Sequence, residues 1–159
     1  MNAFLTWLEN TGYSEWILTS AEGWPLMLTI HAIGLAIIVG IVFAMNLRML
    51  GFYSTIPLTA LDEFLRIAWI GIVLNIITGL SIFMTQAVSY VHSAPFLMKI
   101  SFIILGIINL VYTQKTLRRE AAGWQAAGRV PTTGVLLAVS SLIFWILAVI
   151  TGRLIAYIS

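Results

Sequence analysis

Cysteine is absent from the 159 residues of this chain, and charged residues make up only 9% of it. The absence of cysteine excludes disulfides, thiolate metal sites, iron–sulfur clusters and covalently attached c-type haem. The scarcity of charge excludes an ordinary soluble domain, in which about a quarter of the residues are charged. The 8 basic residues do not cluster into a patch, so no nucleic acid is expected as a partner.

Hydrophobic residues make up 60% of the chain and concentrate in four long apolar stretches. Each stretch approaches or exceeds the ~20 residues with which an α-helix crosses a lipid bilayer. The sequence therefore predicts an all-α membrane protein, with a four-transmembrane-helix bundle forming one domain over residues 24–159. The predicted spans cover about residues 24–48, 65–88, 95–115 and 132–157.

Residues 1–23 form the remaining part of the chain, and they contain no Lys or Arg. Because a secretory signal begins with a basic region and has a continuous apolar core, this segment does not match one. It instead predicts an amphipathic interfacial segment of two short helices that lies on the membrane and covers the bundle. Ser14 is expected to cap the second of these helices. Trp7, Trp16 and Trp24 suit the aromatic belt of the outer membrane interface.

The basic residues fall mainly on one side of the predicted membrane. Most of the 8 flank or lie in the two connections on that side: Arg48, Arg66, Lys115, Arg118, Arg119 and Arg129. The other side keeps only Lys99 and Arg153. By the positive-inside rule, both termini then lie outside the cytoplasm. We therefore expect a multi-pass protein of the bacterial inner membrane, with residues 115–129 as a solvated cytoplasmic loop.

The first span carries a row of small residues at every fourth position: Ala32, Ala36, Gly40 and Ala44. Such a row lets another backbone approach closely. His31 begins a different face of the same helix, so the span has two faces that need a contact. Since the chain offers only three other spans, one face is expected to meet a second copy of the chain or a larger membrane complex.

The second span places Asn75 at mid-membrane, where it is expected to form a hydrogen bond with a neighbouring helix. The pattern Thr59-x-x-Asp62 before this span predicts its N-terminal cap. No convincing two-fold repeat relates the first pair of spans to the second.

Several short segments, each present once in the chain, together carry a resemblance through the order in which they follow one another. They are Pro25, His31–Leu35, Leu47–Gly51, Thr78-Gly79, Pro95–Lys99 with Gly106 and Asn109, and Gly152–Tyr157. In this order the chain resembles an uncharacterised bacterial family of small four-helix integral-membrane proteins, over nearly its whole length. The resemblance implies the four-helix fold, and it implies no activity because none is assigned to that family.

The chain has 2 histidines, His31 and His92, and the predicted topology places both near the outer face. Two neutral imidazoles on bundle helices can hold a b-type haem. Gly34, one turn from His31, would leave room for the porphyrin, and Lys99 and Arg153 would meet its propionates. These residues predict an electron-transfer subunit with haem b near the outer face, in which His31 and His92 bind the iron.

Other interpretations remain open. The protein could be a non-redox accessory subunit, in which these residues have structural roles. His31 would then form a hydrogen bond with a hydroxyl or a carbonyl, and Lys99 and Arg153 would snorkel or pair with Glu22. The same outer pocket could bind a quinone or a lipid headgroup. No enzyme is expected, because the chain lacks a nucleophile–base–acid set. A zinc site is not expected, because two histidines and Glu22 are fewer than the ~four ligands that such a site needs. A channel is not favoured either, because few polar residues are available to form a continuous path across the membrane.

Overall fold

The computed structural model describes residues 2–158, so that Met1 and Ser159 of the predicted ranges lie outside it. Over the described residues the fold consists of α-helices and one 3₁₀ turn. The elements are α1 (Asn2–Glu9), α2 (Gly12–Thr19), α3 (Gly23–Met49), the 3₁₀ turn (Leu58–Ala60), α4 (Leu61–Thr85), α5 (Ala87–His92), α6 (Ala94–Ala126) and α7 (Thr132–Ile158). Four helices, α3, α4, α6 and α7, are long and apolar enough to span a membrane. The predicted all-α four-helix membrane bundle is confirmed.

The four spans form two antiparallel hairpins. α3 packs along α4, and α6 packs along α7. α3 also packs along α7, whereas α4 and α6 meet at few positions. We call the end of the bundle that carries α1, α2 and α5 the lid end. The opposite end, where residues 50–57 and 127–131 connect the spans, is called the basic end.

The apolar core occupies the half of the bundle nearer the basic end. It draws on all four spans and on the 3₁₀ turn, and it extends over the second half of α3 and the first half of α4. Its buried members are Ile38, Val42, Met45, Met49, Leu58, Leu61, Leu65, Ile72, Leu110, Leu117, Ala121, Trp124, Ala138 and Trp145. Since apolar side chains gain nothing over lipid tails by association alone, this half is stabilised by close packing.

The two N-terminal helices, α1 and α2, form a lid that packs against α3, α4 and α5. The Glu9 carboxylate accepts a hydrogen bond of 2.9 Å from the backbone N–H of Val88, in the first turn of α5. The Tyr13 hydroxyl lies 2.9 Å from Ser81 Oγ on α4. Ile17 is fully buried beneath the lid. The lid is therefore attached to the bundle by specific bonds as well as by apolar contact.

The predicted cap of α2 is wrong by one turn. Thr11 is the N-cap, and its hydroxyl accepts from the backbone N–H of Ser14 at 3.3 Å. Ser14 is instead fully buried, and its hydroxyl donates to the carbonyl of Met84 at 3.3 Å. The side chain that was expected to start a helix therefore joins the lid to α4.

The predicted cap of α4 is also wrong. The helix continues from the 3₁₀ turn with Ala60 as its N-cap, and no side chain caps it. The Asp62 carboxylate instead accepts hydrogen bonds from Gln114 Nε2 at 3.0 Å and Arg118 Nε at 2.8 Å, both on α6. These bonds connect α4 to α6 at the basic end.

α6 runs past the predicted span end at residue 115 as far as Ala126, so most of the predicted cytoplasmic loop is helical. Leu117, Ala121 and Trp124 recur at helical spacing and are buried, and α6 packs there against the 3₁₀ turn. The helix continues because this face has a packing partner. It ends before Gly128, whose φ of +64° is typical of a residue that follows a helix.

Candidate functional site

The half of the bundle nearer the lid end has polar side chains at positions that face neighbouring helices. The buried ones include Thr78, Ser81, Thr85 and Thr151. Two half-buried ionisable residues accompany them, His31 on α3 and Lys99 on α6. Because an ionisable side chain within a membrane span is costly, these two residues are the first candidates for a function.

His31 and Lys99 lie at similar depths. At about 1.5 Å per residue, His31 is about 12 Å and Lys99 about 8 Å along its helix from the lid end. Both side chains are half-buried, His31 against Gly79 of α4 and Lys99 against Gly152 of α7. The fold therefore places two of the residues that the sequence predicts for a binding site at one level of the bundle.

The imidazole of His31 is oriented by α4. Its Nδ1 lies 2.9 Å from Thr78 Oγ1, and the Thr78 hydroxyl donates to the carbonyl of Leu74 at 2.7 Å. Because a hydroxyl has a single proton, we assign the proton of the first bond to His31 Nδ1. The neutral ring then carries a free lone pair on Nε2, which can accept a hydrogen bond.

The backbone around His31 is fixed by close contact between α3 and α4. Asn75 Nδ2 donates to the carbonyl of His31 at 3.2 Å, which confirms the predicted interhelical bond of Asn75. If Gly34 were replaced by alanine, the added Cβ would collide with the Asn75 amide. A Cβ added at Gly71 would lie 2.9 Å from the Gly34 carbonyl oxygen. The space beside Gly34, where a porphyrin was expected to fit, is therefore filled by α4.

His31 and Lys99 each pack against the glycine of a Thr-Gly pair on the second helix of their hairpin. A Cβ at Gly79 would be 3.4 Å from His31 Cε1. In the other hairpin, a Cβ at Gly152 would be 3.4 Å from Lys99 Cδ and Cε. The pairs are Thr78-Gly79 on α4 and Thr151-Gly152 on α7. The two hairpins thus repeat one local arrangement, although no repeat is visible in the sequence.

Lys99 has no carboxylate partner among the residues that the structure describes. The ion pairs within residues 2–158 join Arg66 and Arg118 to Asp62 or Glu63, all near the basic end. The predicted alternative, a pair between Lys99 and Glu22, is therefore not formed. An ammonium at membrane depth without a counter-ion is costly, so this position favours an external acceptor.

The other two predicted site residues, His92 and Arg153, are exposed. His92 ends α5, and its Nδ1 lies 2.8 Å from the carbonyl of Val88 in the same helix. As in His31, this leaves Nε2 as the nitrogen that a haem iron would use. The structure thus places His31 and Lys99 at similar depth inside the bundle and leaves His92 and Arg153 at the surface. The bis-histidine haem site stays a prediction.

Three aromatic rings join α4, α5 and α6 at the lid end, and we call them the aromatic triad: Phe83, Tyr90 and Phe96. The ring centroids are 6.3, 5.6 and 5.2 Å apart, with interplanar angles of 24°, 17° and 20°. Burial raises the pKa of Tyr90 above its usual range. The triad is not predicted from the sequence, because the predicted spans end near residue 88 and resume near residue 95, with no helix between them.

α4 and α6 form the loosest of the four seams between neighbouring spans. At the lid end they are bridged by the aromatic triad. Toward the basic end they are bridged by Trp69 Nε1, which donates to Gln114 Oε1 at 3.1 Å. Between these bridges the outer faces of both helices carry exposed aliphatic side chains, such as Ile77, Leu80 and Ile104. The α4–α6 seam is therefore the seam at which neighbouring spans meet at the fewest positions.

No protein family, curated protein or solved structure matches this chain. Fold and site alone define its class, a multi-pass all-α membrane protein with an ionisable pair in one half of its bundle. Its function has to be argued from that pair and its surroundings.

Proposed function

We propose that the protein is a small membrane subunit that binds the oxygen-bearing head of a membrane-soluble ligand between His31 and Lys99. The observation that carries this proposal is the ammonium of Lys99, which has no carboxylate partner among residues 2–158 and lies at membrane depth. At a similar depth, the bond from His31 to Thr78 leaves Nε2 free to accept. The pair thus offers one charged donor and one neutral acceptor.

This donor and acceptor suit particular ligands. An ammonium donates to carbonyl, carboxylate or phosphate oxygens, and its charge strengthens the bond. A neutral imidazole accepts from a hydroxyl group. Quinones and lipid headgroups carry such oxygens on molecules that stay in the bilayer. Ligand binding would supply the acceptor that Lys99 lacks within the described chain.

The distribution of basic residues supports one orientation of the site in the membrane. The basic residues near one end of the bundle support a cytoplasmic position for that end. In the bacterial inner membrane, the lid end and both termini would then face away from the cytoplasm. The ligand would bind in the outer half of the bilayer, beneath the lid.

The small-residue row on α3 supports an association with another protein. Its members Ala32, Ala36, Gly40 and Ala44 are all exposed. A Cβ at Gly40 would meet nothing within 4 Å, so this face has no close contact inside the described chain. A helix of a second copy, or of a larger membrane complex, could pack there.

The proposal is tested by identifying what copurifies with the protein. Wild type, Lys99→Met and Arg153→Met are purified from native membranes in mild detergent, and solvent extracts are compared by mass spectrometry. Lys99 and Arg153 are the two basic residues near the lid end, but only Lys99 is half-buried. We expect a bound molecule in wild type and in Arg153→Met and its loss in Lys99→Met. Equal extracts from wild type and Lys99→Met would overturn the proposal.

The haem prediction is tested with wild type, His31→Ala and His92→Ala purified in the same way. A Soret band in the purified wild type, lost in both His31→Ala and His92→Ala, would replace the present proposal with a bis-histidine haem site. We expect His92→Ala to keep the wild-type extract, because His92 lies at the surface of α5. The two outcomes cannot be confused, because haem is detected by its absorption.

A further inference from the structure

We infer that the bound head is planar and aromatic, a quinone or quinol, and that it enters from the bilayer through the α4–α6 seam beside the aromatic triad. This inference rests on the proposed site between His31 and Lys99. It adds the chemical class of the ligand and its route, neither of which follows from the ionisable pair alone.

The triad lies directly above the ionisable pair along both helices of the seam. On α4, Phe83 follows Gly79 by one turn, and Gly79 lies against the His31 ring. On α6, Phe96 precedes Lys99 by three residues. Residues three or four apart share a helix face. Each helix of the seam therefore presents an aromatic ring on the lid side of the polar groups.

The orientation of the rings favours a flat ligand. The three ring planes lie within 17° to 24° of one another. Phe83 and Phe96 are half-buried, so part of each ring remains accessible. A flat ring can extend such a set by offset stacking, from which a tetrahedral phosphate gains nothing.

The packing of the other three seams favours the α4–α6 seam as the route, because α3 and α7 also meet at more positions than α4 and α6 do. α3 and α4 are in backbone contact at Gly34 and Gly71. Between α6 and α7, the Trp145 ring would lie 3.1 Å from a Cβ at Gly106. Along the α4–α6 seam, exposed aliphatic side chains face the lipid. A head that enters there can leave its hydrocarbon tail in the bilayer.

The ionisable pair has a partner in both redox forms of such a head. The Lys99 ammonium donates to a carbonyl oxygen of the quinone, and His31 Nε2 accepts from a hydroxyl of the quinol. In the tautomer that the bond between His31 Nδ1 and Thr78 selects for the neutral ring, Nε2 is the accepting nitrogen. The quinone therefore supplies an acceptor for Lys99, and the quinol supplies a donor for His31 and oxygen acceptors for Lys99.

The test uses two probes with the same tail, decylubiquinone and decyl phosphate, titrated calorimetrically into the purified full-length protein stripped of lipid. The variants are Lys99→Met, the double variant Phe83→Leu/Phe96→Leu, and Phe4→Leu, which changes an exposed stacked ring of the lid. We expect decylubiquinone affinity to fall about tenfold in the double variant, since two stacking contacts are lost. Phe4→Leu should bind like wild type. Lys99→Met should bind neither probe detectably.

The outcomes separate the two proposals. If decyl phosphate binds in a Lys99-dependent manner and decylubiquinone does not bind, the quinone inference is overturned and the proposed site stands. If decylubiquinone binds equally well to wild type and Lys99→Met, the proposed site fails. Unchanged quinone affinity in the double variant also overturns the inference. Tyr90→Phe, which keeps all three rings, checks that any loss does not come from an unfolded lid end, together with circular dichroism of each variant.

Discussion

The half of the bundle nearer the basic end packs apolar side chains from all four spans, whereas the half nearer the lid end places a histidine, a lysine and several hydroxyl groups between the same helices. The first half depends on close fit, because lipid removes the usual hydrophobic gain, and on interhelical bonds such as those of Asp62 to Gln114 and Arg118. The second half leaves a half-buried cation, Lys99, without a carboxylate partner within residues 2–158. One set of helices thus combines a closed scaffold with a polar site.

The largest effect is expected from a cavity in the closed half. Leu65 on α4 is fully buried, so Leu65→Ala should lower the free energy of unfolding by about 2–5 kcal/mol. Leu80, on the same helix but 59% exposed, provides the matched control, and Leu80→Ala should change the value by less than about 0.5 kcal/mol. Denaturant unfolding in detergent measures both. Similar losses for the two variants would contradict the location of the core.

The boundary between the halves is the contact of α3 with α4. A Cβ at Gly71 would lie 2.9 Å from the Gly34 carbonyl, so Gly71→Ala should cost about 1–3 kcal/mol of stability. Gly40→Ala is the control, because a Cβ there would meet nothing within 4 Å. Thermal unfolding of both variants distinguishes them. If Gly71→Ala were as stable as Gly40→Ala, the two helices would not be in backbone contact.

The spans of this fold could be predicted from the sequence because their signal is local. Length and apolar composition place α3 at residues 24–48 and α7 at 132–157, against observed bounds of Gly23–Met49 and Thr132–Ile158. The extension of α6 to Ala126 could not be predicted in this way. It depends on a packing partner, the 3₁₀ turn, that comes from a distant part of the chain.

The site could be predicted only in part. His31 and Lys99 stand out because ionisable residues are rare in spans. Their surroundings depend on how each helix is rotated about its axis and on which helices are neighbours. The bond of His31 to Thr78, the closure of the space at Gly34, and the aromatic triad all follow from that geometry. A list of residue types and spacings does not contain it.

A smaller effect on stability is expected when the hydroxyl group of Thr78 is removed in the polar half. Thr78→Val keeps the side-chain shape but removes the acceptor of His31 Nδ1, at a cost of about 1 kcal/mol. The ring should then lose its fixed tautomer, which the ¹⁵N chemical shifts of His31 report. Thr29→Val, at an exposed position of α3, is the control. Unchanged shifts in Thr78→Val would show that Thr78 does not orient the ring.

The smallest effect concerns the bridge that closes the polar half at the lid end. Burial raises the pKa of Tyr90 from its ordinary value of 10.0, so the folded protein keeps the phenol neutral while the unfolded chain ionises it. The associated stability is fully present below pH 10 and is lost as the pH rises through the folded pKa. The unfolding temperature of the wild type should therefore decrease more steeply above that pH than that of Tyr90→Phe, in which the other tyrosines are unchanged. Parallel curves for the two proteins would mean that water reaches the phenol, and that the aromatic triad is an open surface rather than a closed bridge between α4 and α6.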